Sequence, residues 1–592
     1  GMNIVLAAIN AKYIHSNLAV YSLKAYAGAY EEHISIAEYT INQQQDEILM
    51  DLYKRKPDVL CFSCYIWNLT YVENLIREIR KIMPKIPIWV GGPEVSYDSK
   101  AVLLRLPEVT GVMKGEGEET FRELAAYYVE GCGELAEIMG ITYRAKCDLE
   151  SEEQIRENEW RPIMDLSKVP FVYHDMKEFA NKIIYYETSR GCPFSCSYCL
   201  SSVDKCLRFR NLDLVKEELQ FFLDQRVPQV KFVDRTFNCK HDHAMTIWRY
   251  IQEHDNGVTN FHFEISADLL NEEELELIAK MRPGLIQLEI GVQSTNPDTI
   301  REIKRTMRFN KVADIVRRIN EVGNVHQHLD LIAGLPFEDY ESFGESFNDV
   351  YALQPEQLQL GFLKVLKGSY MKEHEKEYGL VHKSQPPYEV LYTRWLPYED
   401  VLKLKRVEEM VEVYYNSGQF TYTLSHLVHA FPTPFAMYEA LGAYYEERGL
   451  HAVSHSRVSR YEILLDFALK YDKEREELYR ELLIFDLYLR ENMKNRPEFA
   501  GEYTVLKEEL SAFYEVESRE HRYLKGYESY DKRQLRKMTH IERFWYDVSG
   551  TGERKESRIL FDYRNRNPLN YQAQIFSIED TEVYKEFTCK SV

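Results

Sequence analysis

The sequence predicts a mixed α/β protein of three domains: a doubly wound parallel sheet, a partial (β/α)6 barrel and a mostly helical C-terminal domain. Three observations lead to this prediction. Short β-branched runs alternate with helical patterns over residues 2–147, strand-helix repeats fill residues 171–384, and long amphipathic helices dominate residues 385–592. A chain of 592 residues is also long enough to bury several cores.

The first domain contains five strand-like runs separated by amphipathic segments such as LTYVENLIREIRKIM. The runs are NIVLAAI, HISIAEYT, DVLCFSCY, IPIWVGG and TGVMKG. Alternation of this kind predicts a parallel doubly wound sheet, whose ligands bind beyond the carboxyl ends of the strands. Cys61 and Cys64 in the third run are predicted to be core thiols on opposite faces of the sheet. The loops at the strand ends are polar or contain glycine, and they cover residues 10–17, 65–68, 91–94 and 115–118.

The middle domain follows a polar linker at residues 151–170 and contains six strand-helix repeats. The strand runs are KIIYYE, QVKFVD, FHFEIS, LIQLEIGV, HQHLDLIAG and QLQLGFLKVL. Repeated βα units of this length predict a complete or open barrel. Two helix starts are well marked, because Asn271 with Glu274 has the capping-box pattern and Asn296 precedes Pro297.

Polar residues follow the strands of the predicted barrel, where catalytic groups of such barrels lie. Glu289 is a good ligand candidate, since an unpaired carboxylate inside a barrel is costly unless something binds it. For Asp234, substrate binding and a structural ion pair with Arg235 both stay open. We expect the strand ends to converge on one mouth, and they carry residues 192–199, residues 234–236, Ser266 with Asp268, Glu289 with Gln293, and residues 334–336.

The last third loses the βα rhythm and contains long helices such as YEDVLKLKRVEEMVEVYY. Beyond Arg519 the sequence becomes tyrosine-rich and more strand-like, and the run RILFDYRN predicts a small sheet. Its only cysteine is Cys589, so this domain is not expected to hold further iron-sulfur clusters. The pattern predicts no role for it.

Composition limits the partners. The chain has 74 basic against 95 acidic side chains, a net charge of -21, which argues against broad binding of a phosphate backbone. Nucleic acid is therefore a weaker candidate than a small-molecule substrate. The first apolar run is too short for a signal-peptide core and no later stretch approaches membrane-spanning length, so we expect a cytoplasmic protein without a membrane span.

Three cysteines, Cys192, Cys196 and Cys199, lie in the segment GCPFSCSYC directly after the run IIYYE. A tight loop with three thiolates can hold three irons of a 4Fe-4S cluster, and the fourth iron then stays open to a substrate or cofactor. The ten cysteines of the chain fit thiols and metal ligands better than disulfides in a cytosolic protein.

Two other interpretations of these cysteines stay open: ordinary buried thiols, and a zinc site with Cys206 as the fourth ligand. Arg208 and Arg210 are predicted to lie in a loop, which counts against the zinc site.

The pattern Cys-x-x-x-Cys-x-aromatic-Cys, with Tyr198 as the aromatic residue, resembles the signature of the radical S-adenosylmethionine (SAM) enzymes. In that family the amino and carboxylate groups of SAM chelate the open iron, and an electron from the cluster cleaves SAM to a 5'-deoxyadenosyl radical. Together with the six-strand barrel, the resemblance extends over residues 173–369.

This resemblance also implies SAM contacts. Tyr198 and Leu335 would lie near the adenine, and Ser266, Glu289 and Gln293 would lie near the ribose and methionine groups. Many members hold the SAM amino group with Gly-Gly-Glu after the second strand. This chain departs from the pattern, because the corresponding residues 234–236 read Asp-Arg-Thr.

The first domain, placed before that motif, resembles the cobalamin-binding domain of the cobalamin-dependent radical SAM enzymes. Many such domains carry Asp-x-His-x-x-Gly, whose histidine ligates cobalt, but both Asp and Gly are missing around His15. We therefore expect cobalamin without histidine ligation, with no bound cobalamin as the alternative. Trp67 is open to contact with the corrin face or to packing against a helix. The implied cobalamin contacts are Asn10, His15, Tyr65, Gly91, Gly92, Glu94, Gly115 and Gly117.

The resemblance implies a radical SAM enzyme that cleaves SAM reductively and acts, with cobalamin, on an unactivated carbon of a small molecule. Methyl transfer is the first expected outcome, and cyclisation or oxidation without methyl transfer is an alternative. A tRNA methylthiotransferase would need three cluster cysteines in the first domain, which Cys61, Cys64 and Cys132 do not supply, and a basic C-terminus. An iron-sulfur electron carrier is the non-enzymatic alternative. We expect an external reductant such as flavodoxin or ferredoxin.

Overall fold

The computed structural model of the chain describes residues 1–13, 15–146, 153–191 and 207–578. The chain forms two compact units. The first unit comprises Gly1–Val325, Gly334–Asp339 and Phe362–Tyr398. The second comprises His326–Ala333, Tyr340–Gly361 and Glu399–Val592. The domain ranges 2–147, 171–384 and 385–592 stay a prediction.

The N-terminal sheet lies in the first unit. Its strands are β1 Ile4–Asn10, β2 Ile34–Thr40, β3 Val59–Ser63, β4 Ile88–Gly91, β5 Gly111–Met113, β6 Ile141–Lys146 and β7 Glu153–Glu157. The helices of the same region are α1 Leu18–Tyr26, α2 Gln45–Lys54, α3 Leu69–Ile82, α4 Pro93–Ser96, α5 Ser99–Arg105 and α6 Glu118–Glu130. Strands β2, β1, β3, β4 and β5 are parallel in this order, as predicted.

The far edge of this sheet differs from the prediction. Strand β6 pairs antiparallel with β5, and β7 pairs antiparallel with β6. The linker predicted at residues 151–170 therefore begins inside the sheet. The sequence of β7, EQIRE, contains a single apolar residue, and a polar edge strand of this kind has the composition of a linker.

Both faces of the N-terminal sheet are covered by apolar side chains. Phe62 and Cys64 belong to the cluster that packs against α2, α3 and α5, whereas Cys61 and Trp89 belong to the cluster against α1 and α6. The two cysteines therefore lie on opposite faces, as predicted, and both are buried. Burial raises the pKa of Cys61 to about 12, as expected for a core thiol.

All six predicted barrel strands form, as β8, β11, β12, β13, β14 and β15 in the lists that follow. The strands are β8 Ile184–Tyr186, β9 Ser189–Arg190, β10 Arg208–Phe209, β11 Gln229–Phe232, β12 Asn260–Ile265, β13 Ile286–Gln293, β14 His326–Ala333, β15 Gln357–Phe362, β16 Val381–His382 and β17 Val390–Tyr392. The helices are α7 Leu212–Asp224, α8 His241–Glu253, α9 Glu272–Ala279, α10 Pro297–Glu302, α11 Phe309–Val322, α12 Tyr340–Tyr351 and α13 Tyr370–Glu373. Within the first unit, β8, β11, β12 and β13 lie side by side and parallel.

The predicted helix starts of this region are confirmed. Asn271 accepts a hydrogen bond from the Glu274 amide at 2.9 Å, and the Glu274 side chain accepts one from the Asn271 amide at 3.1 Å. Asn296 caps α10 by accepting from the Asp298 amide at 3.0 Å, with Pro297 at the first helical position. Local capping chemistry thus fixes where the strand ends pass into helices.

The second unit is mainly helical beyond residue 398. Its helices are α14 Tyr398–Met410, α15 Thr421–Leu427, α16 Pro434–Glu447, α17 Arg457–Tyr471, α18 Glu476–Arg490, α19 Lys507–Glu520 and α20 Lys532–Met538. The predicted small sheet is antiparallel and consists of β18 Thr539–Tyr546, β19 Arg554–Asp562 and β20 Gln574–Ser577. Asp486 is buried in α18 and accepts hydrogen bonds from Thr423 and Tyr422, which fixes the start of α15.

Within the described residues, no helix combines the length and the apolar character needed to cross a bilayer.

Candidate functional site

Hydrogen bonds join the loops at the carboxyl edge of the N-terminal sheet. The Cys64 amide, after β3, donates to the Gly91 carbonyl at 2.7 Å. The Ser96 hydroxyl donates to the Gly92 carbonyl at 2.8 Å and accepts from the Gly115 amide at 3.0 Å. The ends of β3, β4 and β5 are therefore joined, the first two through backbone groups and the last two through the Ser96 hydroxyl.

Three of the predicted cobalamin-contact glycines have contacts inside the chain that explain them. Gly92 has φ +108°, and a Cβ there would lie 2.5 Å from the Cys64 carbonyl oxygen. Gly115 has φ +67°, and a Cβ would lie 3.2 Å from the Trp160 ring. A Cβ on Gly117 would meet a leucine of α1 at 3.1 Å. The contact with Cys64 requires glycine at 92, the positive φ favours glycine at 115, and a side chain at 117 would need Leu23 to move slightly. Contact of these glycines with a ligand stays a prediction.

The loop after β1 is held by polar side chains. Glu38 on β2 accepts hydrogen bonds from the Asn10 side chain at 2.9 Å and from the Asn17 amide at 3.3 Å. His15 Nδ1 forms a hydrogen bond with the Tyr185 hydroxyl on β8. Burial lowers the pKa of His15, and two neighbouring lysines add to this effect. This bond engages Nδ1 and not Nε2, so the interpretation of His15 as a loop residue rather than a cobalt ligand stays a prediction.

Glu94 and Tyr65 lie at the ends of β4 and β3. The Glu94 side chain is buried, and burial raises its pKa although a hydrogen bond from Tyr388 opposes the shift. The Tyr65 ring stacks on the Trp67 ring at a centroid distance of 4.5 Å and an interplanar angle of 7°.

Four exposed aromatic side chains lie in or next to the loops of this edge. Trp67 is 46% exposed and Trp160 is 53% exposed, and Tyr13 and Tyr97 are exposed in the loops after β1 and β4. Soluble proteins rarely leave several large apolar side chains exposed in neighbouring loops without a binding role. A backbone surface rimmed by aromatic rings fits a large planar group, and the described residues at this edge therefore fit a corrin.

Asp234 holds the chain just before the cysteine segment. It is fully buried at the end of β11 and accepts hydrogen bonds from the Thr188 amide at 2.8 Å, from the Thr188 hydroxyl and from the Ser189 hydroxyl at 2.8 Å. The Thr188 hydroxyl also bonds His243 Nε2 at 3.0 Å. The sequence left two interpretations open for Asp234, substrate binding and an ion pair with Arg235. The structure instead shows hydrogen bonds from Thr188 and Ser189.

Ser266 lies where β12 ends. Its amide donates to the Asn238 side chain at 2.9 Å, and the Asn238 side chain donates to the Ser266 carbonyl at 2.8 Å. Its hydroxyl donates to Asp268. The loops after β11 and β12 are therefore linked, and the Ser266 hydroxyl is already engaged inside the chain.

Glu289 and Gln293 lie on the same face of β13, because the side chains of residues 287, 289, 291 and 293 alternate with buried apolar ones. Glu289 Oε2 is 3.2 Å from His262 Nε2 on the neighbouring strand. Gln293 has φ +61°, and its amide nitrogen would lie 2.7 Å from a Cβ on Gly291. Glycine at 291 thus leaves room for the Gln293 side chain to lie back along the strand.

The turn at residues 334–338 lies next to the carboxyl end of β13. Leu335 is fully buried. Glu338 accepts a hydrogen bond from the Ser294 hydroxyl at 2.6 Å, and Thr299 donates to the Pro336 carbonyl at 2.8 Å. Ser294 and Thr299 follow β13, so these bonds place Leu335 next to the end of that strand.

Cys192, Cys196, Cys199, Tyr198 and Cys206 lie outside the described residues. The residues on either side of this segment are described. Ser189 pairs with Phe209 and Arg190 pairs with Arg208, as the antiparallel strands β9 and β10. The prediction of a loop at Arg208 is therefore wrong. Arg210 is buried with Glu218, its Nη2 lying 2.7 Å from Glu218 Oε2.

A group of charged side chains joins this strand pair to the N-terminal sheet; we call it the arginine-glutamate cluster, and its members are Arg190, Arg208, Glu116, Glu118 and Glu187. Glu116 Oε2 is 2.6 Å from Arg190 Nη1, and Glu116 Oε1 is 2.6 Å from Arg208 Nη1. Glu118 also pairs with Arg190, and Glu187 lies 3.0 Å from its Nε. The loop after β5 therefore contacts both strands of the β9–β10 pair, which flanks the cysteine segment in the sequence.

Sequence reasoning located the loop at residues 115–118 and missed its partners. The available signal was two acidic residues between glycines, GEGE, at a predicted ligand edge, together with arginines on both sides of the cysteines. Nothing in the sequence alone pairs these two segments, because Glu116 and Arg208 are 92 residues apart.

Three family models match the chain. The B12 binding domain matches residues 4–125, and the radical SAM superfamily matches residues 186–350. A protein family of unknown function, DUF4080, matches residues 376–561.

The chain is also similar to characterised methyltransferases. It is 25% identical to 2-(S-pantetheinyl)-carbapenam-3-carboxylate methyltransferase of Streptantibioticus cattleyicolor over 50% of this chain and 45% of the relative. It is 25% identical to the cobalamin-dependent radical SAM methyltransferase TokK of Streptomyces tokunonensis over 55% and 50%, respectively. The chain thus spans about half the length of these two relatives.

Among solved structures, the radical SAM methyltransferase TsrM from Kitasatospora setae, with cobalamin and a [4Fe-4S] cluster bound, has a TM-score of 0.51 at 18% identity. The match covers 66% of this chain and 79% of that structure. At this identity the likeness concerns the fold.

The chain therefore combines a B12-binding domain with a radical SAM domain, and the predicted mixed α/β fold with a helical C-terminal region is confirmed. A radical SAM domain implies a 4Fe-4S cluster and SAM, and a B12-binding domain implies cobalamin, in agreement with the three predicted cofactors.

Proposed function

We propose that this chain is a cobalamin-dependent radical SAM enzyme that methylates an unactivated carbon of a small molecule. One observation carries the proposal. The arginine-glutamate cluster joins the β9–β10 pair, which flanks the cysteine segment in the sequence, to the loop after β5, at the carboxyl edge where a B12-binding domain would hold its corrin. The two cofactor sites then adjoin within the first unit, an arrangement that suits a reaction needing both.

The bound groups would supply the difficult chemistry. The cluster and one SAM would supply a 5'-deoxyadenosyl radical for hydrogen abstraction from the substrate carbon, and cobalamin would supply the methyl group, which a second SAM would restore. Each turnover would take two electrons from outside the chain, and we propose a flavodoxin or ferredoxin as their source.

The residues of the chain bind and orient these groups. In this proposal Glu289 and Gln293 bind polar groups of SAM, and Leu335 packs against its adenine. Asp234 fixes Thr188 and Ser189, so the cysteine segment starts from a held backbone. The aromatic rim and the backbone surface at the ends of β3, β4 and β5 receive the corrin, with no cobalt ligand from His15.

The radical chemistry is tested with anaerobically purified protein reconstituted with iron and sulfide. Dithionite and SAM are added, and 5'-deoxyadenosine is measured by mass spectrometry. We expect it from the wild type and not from a variant with Cys192, Cys196 and Cys199 all replaced by alanine. A wild-type protein with a full complement of iron that forms none would refute a radical SAM activity.

Cobalamin and methyl transfer need two further measurements. Protein purified with cobalamin should retain a corrinoid with its characteristic visible spectrum. With trideuteromethyl-SAM and a small-molecule extract of cells, we expect a product that gains the labelled methyl group. A product that loses hydrogen without gaining the label would instead support cyclisation or oxidation. A purified protein whose visible spectrum lacks the corrinoid bands would refute the cobalamin dependence.

A further inference from the structure

The arginine-glutamate cluster has a geometry that a simple surface ion pair lacks. The two oxygens of Glu116 are shared between two arginines on paired strands, each at 2.6 Å, and Arg190 and Arg208 are only 14% and 12% exposed. One carboxylate thus spans both ends of the cysteine segment. Moving either end relative to the loop after β5 breaks at least one of these bonds.

The charges of this cluster are close to balanced. Hydrogen bonds from Arg190 and Arg208 outweigh the burial of Glu116 and lower its pKa, so it is ionised. Burial raises the pKa of Glu187 to about 7, which leaves that carboxyl partly protonated at neutral pH. Two arginines therefore share three carboxyl groups, of which Glu116 is held ionised by the hydrogen bonds that it accepts.

Buried ion pairs contribute little net stability, because desolvation offsets the attraction between the charges. Their energy depends steeply on geometry, and removal of one partner leaves the other buried and unpaired. A cluster of this kind therefore specifies position more than it adds stability. Its position is at the junction of the cysteine segment and the predicted corrin edge.

We propose that Glu116 is a positioning residue that holds the β9–β10 pair, from which the cysteine segment extends in the sequence, at a fixed separation from the corrin edge of the N-terminal sheet. The proposal rests on the proposed function for its consequence: without Glu116, SAM cleavage at the cluster continues, while its coupling to cobalamin is lost. Glu116 touches neither reacting group in this account and acts through Arg190 and Arg208.

The matched variants are E116Q, E116D and E123Q. E116Q keeps the shape and loses the charge. E116D keeps the charge, but its shorter side chain cannot reach both arginines. Glu123 lies on α6, seven residues further along the chain, and its Oε2 is 2.9 Å from Nη2 of Arg161. Arg161 lies on neither β9 nor β10, so E123Q is the same chemical change without the proposed role.

The first measurement is hydrogen exchange in the protein without cofactors, followed in peptides that contain residues 187–191 and 207–211. We expect exchange about tenfold faster in E116Q and E116D, the factor that corresponds to one hydrogen bond to a charged group, and wild-type rates in E123Q. If both Glu116 variants exchange at the wild-type rate in these peptides, the proposal is overturned, whether or not the cofactors bind.

The second measurement uses protein loaded with cluster and cobalamin. A reduced 4Fe-4S cluster speeds the magnetic relaxation of nearby cob(II)alamin, so microwave power saturation of the cobalamin signal reports their separation. We expect a several-fold smaller effect in E116Q and E116D than in the wild type and E123Q, with 5'-deoxyadenosine formation retained. Equal relaxation in all four proteins would overturn the positioning role. Failure of the wild type to bind corrinoid would instead refute the proposed function, and the exchange measurement would still decide the role of Glu116 in holding the segment.

Discussion

In the first unit, the carboxyl ends of the strands of the N-terminal sheet and those of β8, β11 and β13 are held by different kinds of contact. At the N-terminal sheet, the loops after β3 and β4 meet through a backbone bond and through the close approach of Gly92 to Cys64, and the Ser96 hydroxyl joins the loops after β4 and β5 through their backbone groups. Beyond β8, β11 and β13, side chains bond to side chains, as in Asp234 with Thr188 and Ser189. A backbone surface presents a broad face to a large planar ligand, whereas converging side chains present directed polar groups to a small one.

This difference also determines how each edge responds to mutation. A backbone surface tolerates no added volume, so steric substitutions should damage it most. An edge made of side-chain bonds should lose stability in steps of one hydrogen bond. The variants below test this contrast in order of expected effect.

The largest effect is expected for G92A. The added Cβ would lie 2.5 Å from the Cys64 carbonyl oxygen, and φ +108° is unfavourable for alanine. Backbone strain and overpacking together cost about 3 kcal/mol or more, which corresponds to a fall of roughly 5–10 °C in the melting temperature of the first unit. Thermal denaturation followed by circular dichroism measures this change.

The control for this prediction is G28A. Gly28 is exposed, its φ is negative, and an added Cβ would have no atom within 4 Å. We expect its melting temperature to stay within about 1 °C of the wild type, as for an ordinary surface substitution. If G92A melts like G28A, the close contact between the loops after β3 and β4 is not what holds this edge.

The next effect is expected for D234A. It removes the buried acceptor of three hydrogen bonds from Thr188 and Ser189, which costs about 2–3 kcal/mol. Hydrogen exchange at the Thr188 amide should become faster, and reconstitution should incorporate less iron. Full iron incorporation in D234A would show that Asp234 does not support the cysteine segment.

D234N is the companion variant, because it keeps the shape and should cost less. Burial raises the pKa of Asp234 to about 6 from 3.8, so the folded state keeps a proton that the unfolded chain releases. Asp234 therefore lowers stability as pH rises from about 4 to about 6. The D234N variant should lose this part of the pH dependence, measured as melting temperature against pH, and an unchanged slope would contradict the assignment.

The same contrast explains what the sequence could predict. Glycine-bearing loops, strand runs and caps such as Asn271 with Glu274 leave local patterns, and these parts of the fold were predicted correctly. Bonds between distant side chains leave no such pattern: Thr188 and Asp234 are 46 residues apart, and Glu116 and Arg190 are 74 apart. The sequence therefore located both edges and did not identify the contacts that hold them.

One local pattern was also misleading. Strand β7 was predicted as linker because an edge strand facing water has a polar sequence. Its pairing is set by the antiparallel neighbour β6, which is a tertiary effect that the composition of five residues cannot report.

A smaller loss is expected for S294A. The Ser294 hydroxyl donates to Glu338 at 2.6 Å and accepts from the Asn296 amide at 3.0 Å, so its removal loosens the turn that carries Leu335. We expect a cost of about 1–2 kcal/mol, measured as a lower melting temperature and faster exchange at residues 296–299. S425A, an exposed serine bonded to its own helix backbone, is the control and should not change. Equal exchange in the two variants would mean that the turn is held by other contacts.

The smallest effect is expected for Y185F, which removes the bond between His15 and the Tyr185 hydroxyl and leaves the ring in place. The bond is only partly buried, so its loss should cost about 0.5–1 kcal/mol. The control is Y30F, which removes an exposed hydrogen bond from a tyrosine hydroxyl to Glu130. Hydrogen exchange of the loop after β1 is the sensitive measurement, because the Tyr185 hydroxyl on β8 contacts this loop through His15. If Y185F destabilises the protein as strongly as G92A, the contrast between a backbone edge and a side-chain edge fails at the loop where the two meet.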